Sequence, residues 1–231
     1  MDVRLWTGGA AVARRLRGAV AAAALAAALA AGIWAGAEAR QPPRPLDHHA
    51  VVMNGGVIGS AFPIGEKVAL TNAHVVRGRA PGAQLRLSVA GRGLLRAELL
   101  AVSERMDLAV LAIPAGALPP ASASNAPLRP GLRVRGAGVD ATGAAAGPRM
   151  ELAGAVTRTA DHLPAFGPGL VVRMPGVRPG FSGGPVVDGE GRLVGMIAAI
   201  RPGAGGDEAY VLGAAAIRAE ARRLLGEAAE G

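Results

Sequence analysis

The sequence predicts an all-β protein of two β-barrels in tandem, closed by one C-terminal α-helix. Three observations carry that reading. From Ala50 to Ile113, and again from Leu132 to about Leu212, Val, Leu, Ile and Ala come in short runs broken by glycine-containing turns, the pattern of strands and hairpins. Between the two regions, Pro114, Pro119, Pro120, Pro127 and Pro130 forbid continuation of a sheet or helix, so the stretch divides the chain into halves. At the end, Ile217, Ala221, Leu224 and Leu225 recur at helical spacing. A length of 231 residues, 51% of them hydrophobic, allows a real core in one or two domains. Aromatics are only 3%, so that core is built from small aliphatic side chains, as short strands allow.

In chain order, residues 1–39 read as an export leader. Arg14, Arg15 and Arg17 precede an apolar run from Gly18 to Gly36, a length on the border between a cleaved signal and a membrane span. Ala37-Glu38-Ala39 supplies the small-x-small pattern of a signal-peptidase site, which favours cleavage after Ala39 over anchoring in the inner membrane through residues 18–36. Either outcome places the remainder outside the cytoplasm, in the periplasm or beyond. Residues 40–49 form a polar tether, whose Asp47, His48 and His49 read as exposed linker rather than metal ligands for want of further ligands at defined spacing. The first barrel spans 50–113, with turns at Asn54-Gly55-Gly56, Gly65-Glu66 and Gly91-Arg92-Gly93. The linker spans 114–131, and the second barrel with its helix 132–231. Arg218, Glu220, Arg222 and Arg223 are expected on the helix's polar side. His162, beside Asp161, reads as a solvated loop histidine.

A formal charge of +8 invites a nucleic-acid reading. It does not hold: several arginines sit in the leader, and the rest are scattered among apolar residues without a stripe or interleaved aromatics. The absence of cysteine excludes disulfides, thiolate catalysis and cysteine-ligated metal. No metal or organic cofactor is called for.

The most informative segment is Arg178-Pro179-Gly180-Phe181-Ser182-Gly183-Gly184-Pro185. A nucleophilic serine must be presented on a tight turn, with backbone N–H groups converging where the carbonyl oxygen becomes negative. Gly180 can take a positive φ and, with the N–H of Ser182, form an oxyanion hole, while Gly183 and Gly184 let neighbouring chain approach. A serine among glycines is by itself only a loop. Two further segments change its meaning: Ala69-Leu70-Thr71-Asn72-Ala73-His74 sets a histidine at the end of an apolar strand, and Asp107-Leu108-Ala109-Val110-Leu111 opens a strand with a carboxylate. The three come in the order His, Asp, Ser, one of the chain orders in which a catalytic triad occurs.

The segments GSAFPIGEKVALTNAHVV, DLAVLAI and PGFSGGPVVDGEGRLVGMIAAI resemble the trypsin-like (chymotrypsin-fold) serine proteases, specifically the bacterial Deg/HtrA branch, across most of residues 51–225. Ala123 to Gly131 also resembles that branch where its second barrel begins. The resemblance implies two antiparallel six-stranded barrels with the active site between them, His74 and Asp107 from the first and Ser182 from the second. It implies acyl transfer on polypeptide substrates, exported or unfolded. It puts the floor of the specificity pocket at Gly176, Val177 and Arg178 and its wall at Ala198, Ala199 and Ile200, where extended substrate would pair. With no carboxylate there, small or medium apolar residues are expected at the cleaved position.

Two departures qualify the likeness. Phe181 stands where trypsin has an aspartate that pairs with a freed N-terminus, and no IVGG-like segment exists, so zymogen activation is not expected. No PDZ domain is expected after the closing helix. The competing reading is a catalytically inactive protease-like domain that binds extended peptides; a basic surface protein is a more distant third.

Overall fold

The computed structural model describes residues 41–143, 145–163, 166–201 and 207–230, with nothing said of the side chains of 162 and 227–230. The leader of residues 1–39 therefore lies outside the described residues. Among the described residues no helix is long and apolar enough to cross a membrane.

Among the described residues the short apolar runs form twelve strands, several of them buried almost throughout because both their faces are covered, others with alternating burial. The first six are β1 (Ala50–Asn54), β2 (Val57–Pro63), β3 (Val68–Thr71), β4 (Gln84–Val89), β5 (Gly93–Val102) and β6 (Ala109–Ala112). They close into an antiparallel barrel in the order β1-β2-β3-β6-β5-β4, with β1 and β4 sealing it. The turn at Gly55-Gly56 joins β1 to β2 with Asn54 opposite Val57, as a two-residue hairpin requires.

The second barrel contains β7 (Arg133–Val139), β8 (Arg149–Leu163), β9 (Gly167–Arg173), β10 (Pro185–Val187), β11 (Leu193–Ile200) and β12 (Glu208–Gly213). Its order is β10-β11-β12-β9-β8-β7, and β7 pairs with β10 to close it. Helix α1 (Ala214–Glu230) follows directly. Residues between β6 and β7 form neither helix nor strand apart from one bridge, Ala123 to Leu193, through which the linker is stitched to the second barrel.

Three apolar clusters hold this together. One fills the first barrel, with Val52, Leu87, Leu99 and Leu111 fully buried, and another fills the second, around Val172, Met174, Phe181 and Ile197. The third joins them: Phe62, Leu70 and Val110 of the first barrel meet Met196 and Leu212 of the second and Ile217, Ala221 and Leu224 of α1. Burying such side chains contributes about 1.5–3 kcal/mol each, so the seam between the barrels is a core in its own right.

Three local expectations are corrected. His48 and His49 are buried rather than exposed: Pro45–His48 forms a 3-10 turn against the second barrel, His48 Nδ1 donates to Pro119 O at 2.7 Å, and Asp47 caps the Arg44 N–H at 2.7 Å. Glu220, expected on the polar side of α1, is buried and accepts a hydrogen bond from Ser103 at 2.5 Å. The backbone of Asp161 and His162 lies in β8, not in a loop.

Candidate active site

Strands β3 and β6 pair with Thr71 opposite Ala109, so residues just beyond those ends share one rim of the first barrel. After Thr71 the chain turns through Asn72 into a 3-10 turn, Ala73–Val76, that carries His74. Before Ala109 comes Asp107. The carboxylate takes two bonds from the same residue: His74 N–H donates to Oδ1 at 3.0 Å and His74 Nδ1 to Oδ2 at 2.8 Å. A carboxylate oxygen only accepts, so Nδ1 carries a proton, and in the neutral imidazole Nε2 is then the nitrogen with the free lone pair. The Asp107 side chain is 9% exposed and that of His74 34%, so the pair is shielded at its acidic end and open at its basic end. Asn72, fully buried, donates to Asp107 O at 2.8 Å and fixes the loop from below.

Ser182 follows a turn in which Phe181 N–H donates back to Arg178 O at 3.2 Å. Gly180 occupies the third position with φ +97, a conformation that costs any other residue strain. The Pro179 carbonyl accepts from Ala141 N–H at 3.0 Å. Across a trans peptide C=O and N–H point oppositely, so Gly180 N–H is aimed away from Ala141. Neither Gly180 N–H nor Ser182 N–H donates to a partner among the described residues. Phe181 is 0% exposed, its ring lying against the backbone of Gly138, where a Cβ would fall 2.3 Å from Cγ of the ring. Arg178 reaches Asp140 at 3.1 Å. Hydrogen bonds from the side chain and backbone of Thr142 lead in holding the Asp140 carboxyl below its ordinary range, and Arg178 adds to them.

A cleft of about 1240 Å³ runs between the barrels, and His74, Asp107 and Ser182 all line it. The Ser182 hydroxyl donates to Ala198 O at 3.1 Å rather than to His74. Of the residues expected to shape specificity, Val177, Arg178, Ala198, Ala199 and Ile200 line the cleft. Gly176 stands outside the lining, its carbonyl receiving Arg178 Nε at 2.9 Å. On its β10 side β11 pairs as far as Ile197, which exchanges hydrogen bonds with Gly183 and Gly184; beyond it no strand partner follows among the described residues, while Ala199 and Ile200 pair with β12 on the other side. That leaves an edge facing the cleft. Residues 202–206 of the loop that follows lie outside the described residues. Among the described residues no group of His, Cys, Asp and Glu could hold a metal ion.

The trypsin-like peptidase domain family matches residues 59–196, more than half of the chain. The chain belongs to that family. This trypsin-like serine endopeptidase also superposes on solved structures. The Rv3671c protease from M. tuberculosis in its active form has TM-score 0.65 at 22% identity, over 78% of this chain and 82% of the other. The serine endoprotease from Yersinia pestis has TM-score 0.65 at 20% identity, over 80% and 64%. The HtrA-type protease AlgW with a tripeptide has TM-score 0.66 at 23% identity, over 78% and 60%. At these identities the likeness concerns the fold. No curated protein matches the sequence.

Several residues around the candidate site carry no local signal in the sequence. Ser60 and His49 reach the Gly180–Ser182 loop through one hydrogen-bonded line, and Asp140 and Ala141 clasp it from the other side. Ser60 follows Gly59 in a segment that resembles the family pattern, which by itself gives its hydroxyl no role.

Proposed function

We propose that this chain is an exported serine endopeptidase that cleaves extended or unfolded polypeptide by acyl transfer, with His74, Asp107 and Ser182 as its triad. The observation that carries the reading is the His74–Asp107 pair, which makes Nε2 the basic nitrogen of the neutral imidazole, in the cleft that Ser182 also lines. In the reaction, the Ser182 hydroxyl rotates from Ala198 O toward Nε2, gives up its proton there and attacks the scissile carbonyl. Gly180 N–H and Ser182 N–H receive the oxyanion. His74 then protonates the leaving amine, and water, deprotonated by the same nitrogen, frees the acyl group. Asp107 keeps the imidazole in its Nδ1–H tautomer and stabilises the imidazolium.

When the serine turns away, Ala198 O is free to accept an N–H from a substrate strand laid along Ala198–Ile200, the pairing mode that favours extended chains. Val177, Ala198, Ala199 and Ile200 offer an apolar pocket without a buried carboxylate, which suits small or medium apolar side chains. Export rests on the leader: a basic flank, an apolar run and Ala37-Glu38-Ala39, with residues from about 40 onward as the mature catalytic unit.

The test is labelling with a fluorophosphonate alongside peptide cleavage. Wild-type protein is expected to be labelled on Ser182, and Ser182→Ala to lose both labelling and about 10⁶ of kcat. Peptide binding without labelling would instead establish a non-catalytic binding domain. Strong cleavage after Arg in a positional library would overturn the pocket reading alone.

A further inference from the structure

We propose that Ser60, backed by the buried His49, is a positioning residue for the oxyanion hole, locking the peptide between its two N–H donors. The inference rests on the reading of Ser182 as nucleophile. The carbonyls along the loop are held one by one. Pro179 O accepts from Ala141 N–H at 3.0 Å, Phe181 O from Gly184 N–H at 2.9 Å and Ser182 O from Ser60 N–H at 2.7 Å. Gly180 O accepts from the Ser60 hydroxyl at 2.7 Å. Ser60 thus holds two of these carbonyls from the opposite barrel, and its hydroxyl is the one side-chain group among their donors.

The direction of the line follows from its end. Gly180 O is a carbonyl and only accepts, so the Ser60 hydrogen points to it and Ser60 Oγ must accept from His49 Nε2, 2.8 Å away. His49 therefore carries a proton on Nε2, and its Nδ1 has no partner among the described residues. The histidine fills the hydroxyl's lone pair and fixes its rotor, and Thr71 Oγ1 fixes the Ser60 peptide by donating to Ser60 O at 2.7 Å. Contact is close: a Cβ on Gly183 would fall 1.9 Å from Ser60 O. Without the hydroxyl, Gly180 O is left buried and unpaired, and the Gly180–Phe181 peptide gains by rotating to another donor. Such a rotation shifts the N–H groups on either side.

Removing one oxyanion donor outright costs about 10²–10³ in kcat, so misplacing the pair is expected to cost about 10–100-fold. Ser60→Ala should lower kcat by that factor with KM changed less than about threefold, and weaken a peptide aldehyde, which forms the oxyanion, in proportion. His49→Leu should reproduce part of the loss, and His49→Gln, whose amide nitrogen stands near Nε2, should restore it. Should Ser60→Ala not fold, Ser60→Cys carries the same test with a weak donor of similar shape. If the Ser60 and His49→Leu variants keep kcat and aldehyde affinity while only melting earlier, the role is structural and the proposal fails. If wild-type Ser182 itself resists fluorophosphonate, the catalytic reading fails first and takes this one with it.

Discussion

At the scale of single residues, Asp107 is the position whose chemistry is most constrained. It accepts from His74 N–H and His74 Nδ1–H on separate oxygens. Asparagine has one acceptor oxygen, so its NH₂ must face one of the two donors. If it faces the ring, the proton must move to Nε2, and the lone pair that would take the serine proton is gone. Asp107→Asn is therefore expected to lose about 10⁴ in kcat with little change in KM. A loss below about tenfold in steady-state peptide hydrolysis would count against the proposed role. The three proposed triad residues were legible because each lies in a local pattern: a strand end, a strand start, a glycine-rich turn. Ser60 and His49 were not legible. The partner of the Ser60 hydroxyl lies 120 residues away, and a histidine pair before a strand looks the same whether solvated or buried. Only the fold brings the line together.

At the scale of elements, the turn Arg178–Phe181 is where this chain departs from trypsin, and the structure supplies the missing support. In place of an ion pair, Phe181 sinks into the second barrel's core against Gly138, while the end of β7 and the loop after it hold the turn through Ala141 N–H and Asp140. An apolar plug needs no cleavage to set it. Phe181→Ala is expected to cost about 3–5 kcal/mol through the cavity it leaves, lowering the melting temperature by roughly 10 °C. It should also lower kcat in the fraction still folded, because Gly180 and Ser182 flank the plug. Normal stability and activity in that variant would show that the turn is held by its hydrogen bonds alone. Barrels, linker and helix were readable as elements because apolar runs, prolines and helical spacing are each local. The burial of Glu220 was not: Arg223 is its neighbour one turn along α1, but Ser103, which also holds the carboxylate, belongs to the first barrel, a partner no helical wheel displays.

At the scale of the whole molecule, three buried groups make stability depend on pH in the same direction. Burial, aided by the charge of Arg149, lowers the His49 pKa from 6.5 to about 3. Above pH 6.5 the imidazole is neutral in both states and contributes no slope. Between 6.5 and 3 the unfolded chain binds a proton that the folded chain refuses, so stability falls by about 1.4 kcal/mol per pH unit. Glu220 is lowered from 4.5 to about 2, chiefly by its hydrogen bond from Arg223, with Ser103 adding to it. Its contribution is complete above pH 4.5 and is lost as pH falls toward 2, a total of about 3 kcal/mol. Asp188, where burial is outweighed by hydrogen bonds from Ser124 and from the N–H groups of Arg192 and Glu190, acts with the same sign. His49 reaches across the seam through Ser60, and Glu220 ties α1 to Ser103 near Asp107, so acid acts where the proposed site is assembled. Urea unfolding at pH 7, 5.5 and 4 is expected to show a loss of about 1–2 kcal/mol in the first step and a steeper one in the second. His49→Gln should flatten the first step and leave the second sloping, whereas Glu220→Gln should relieve only the second. A wild-type curve level from pH 7 to 5 would mean that His49 takes up its proton in the folded protein as readily as in the unfolded chain, with Nε2–H still donating to Ser60, and the pH dependence assigned to His49 would fail.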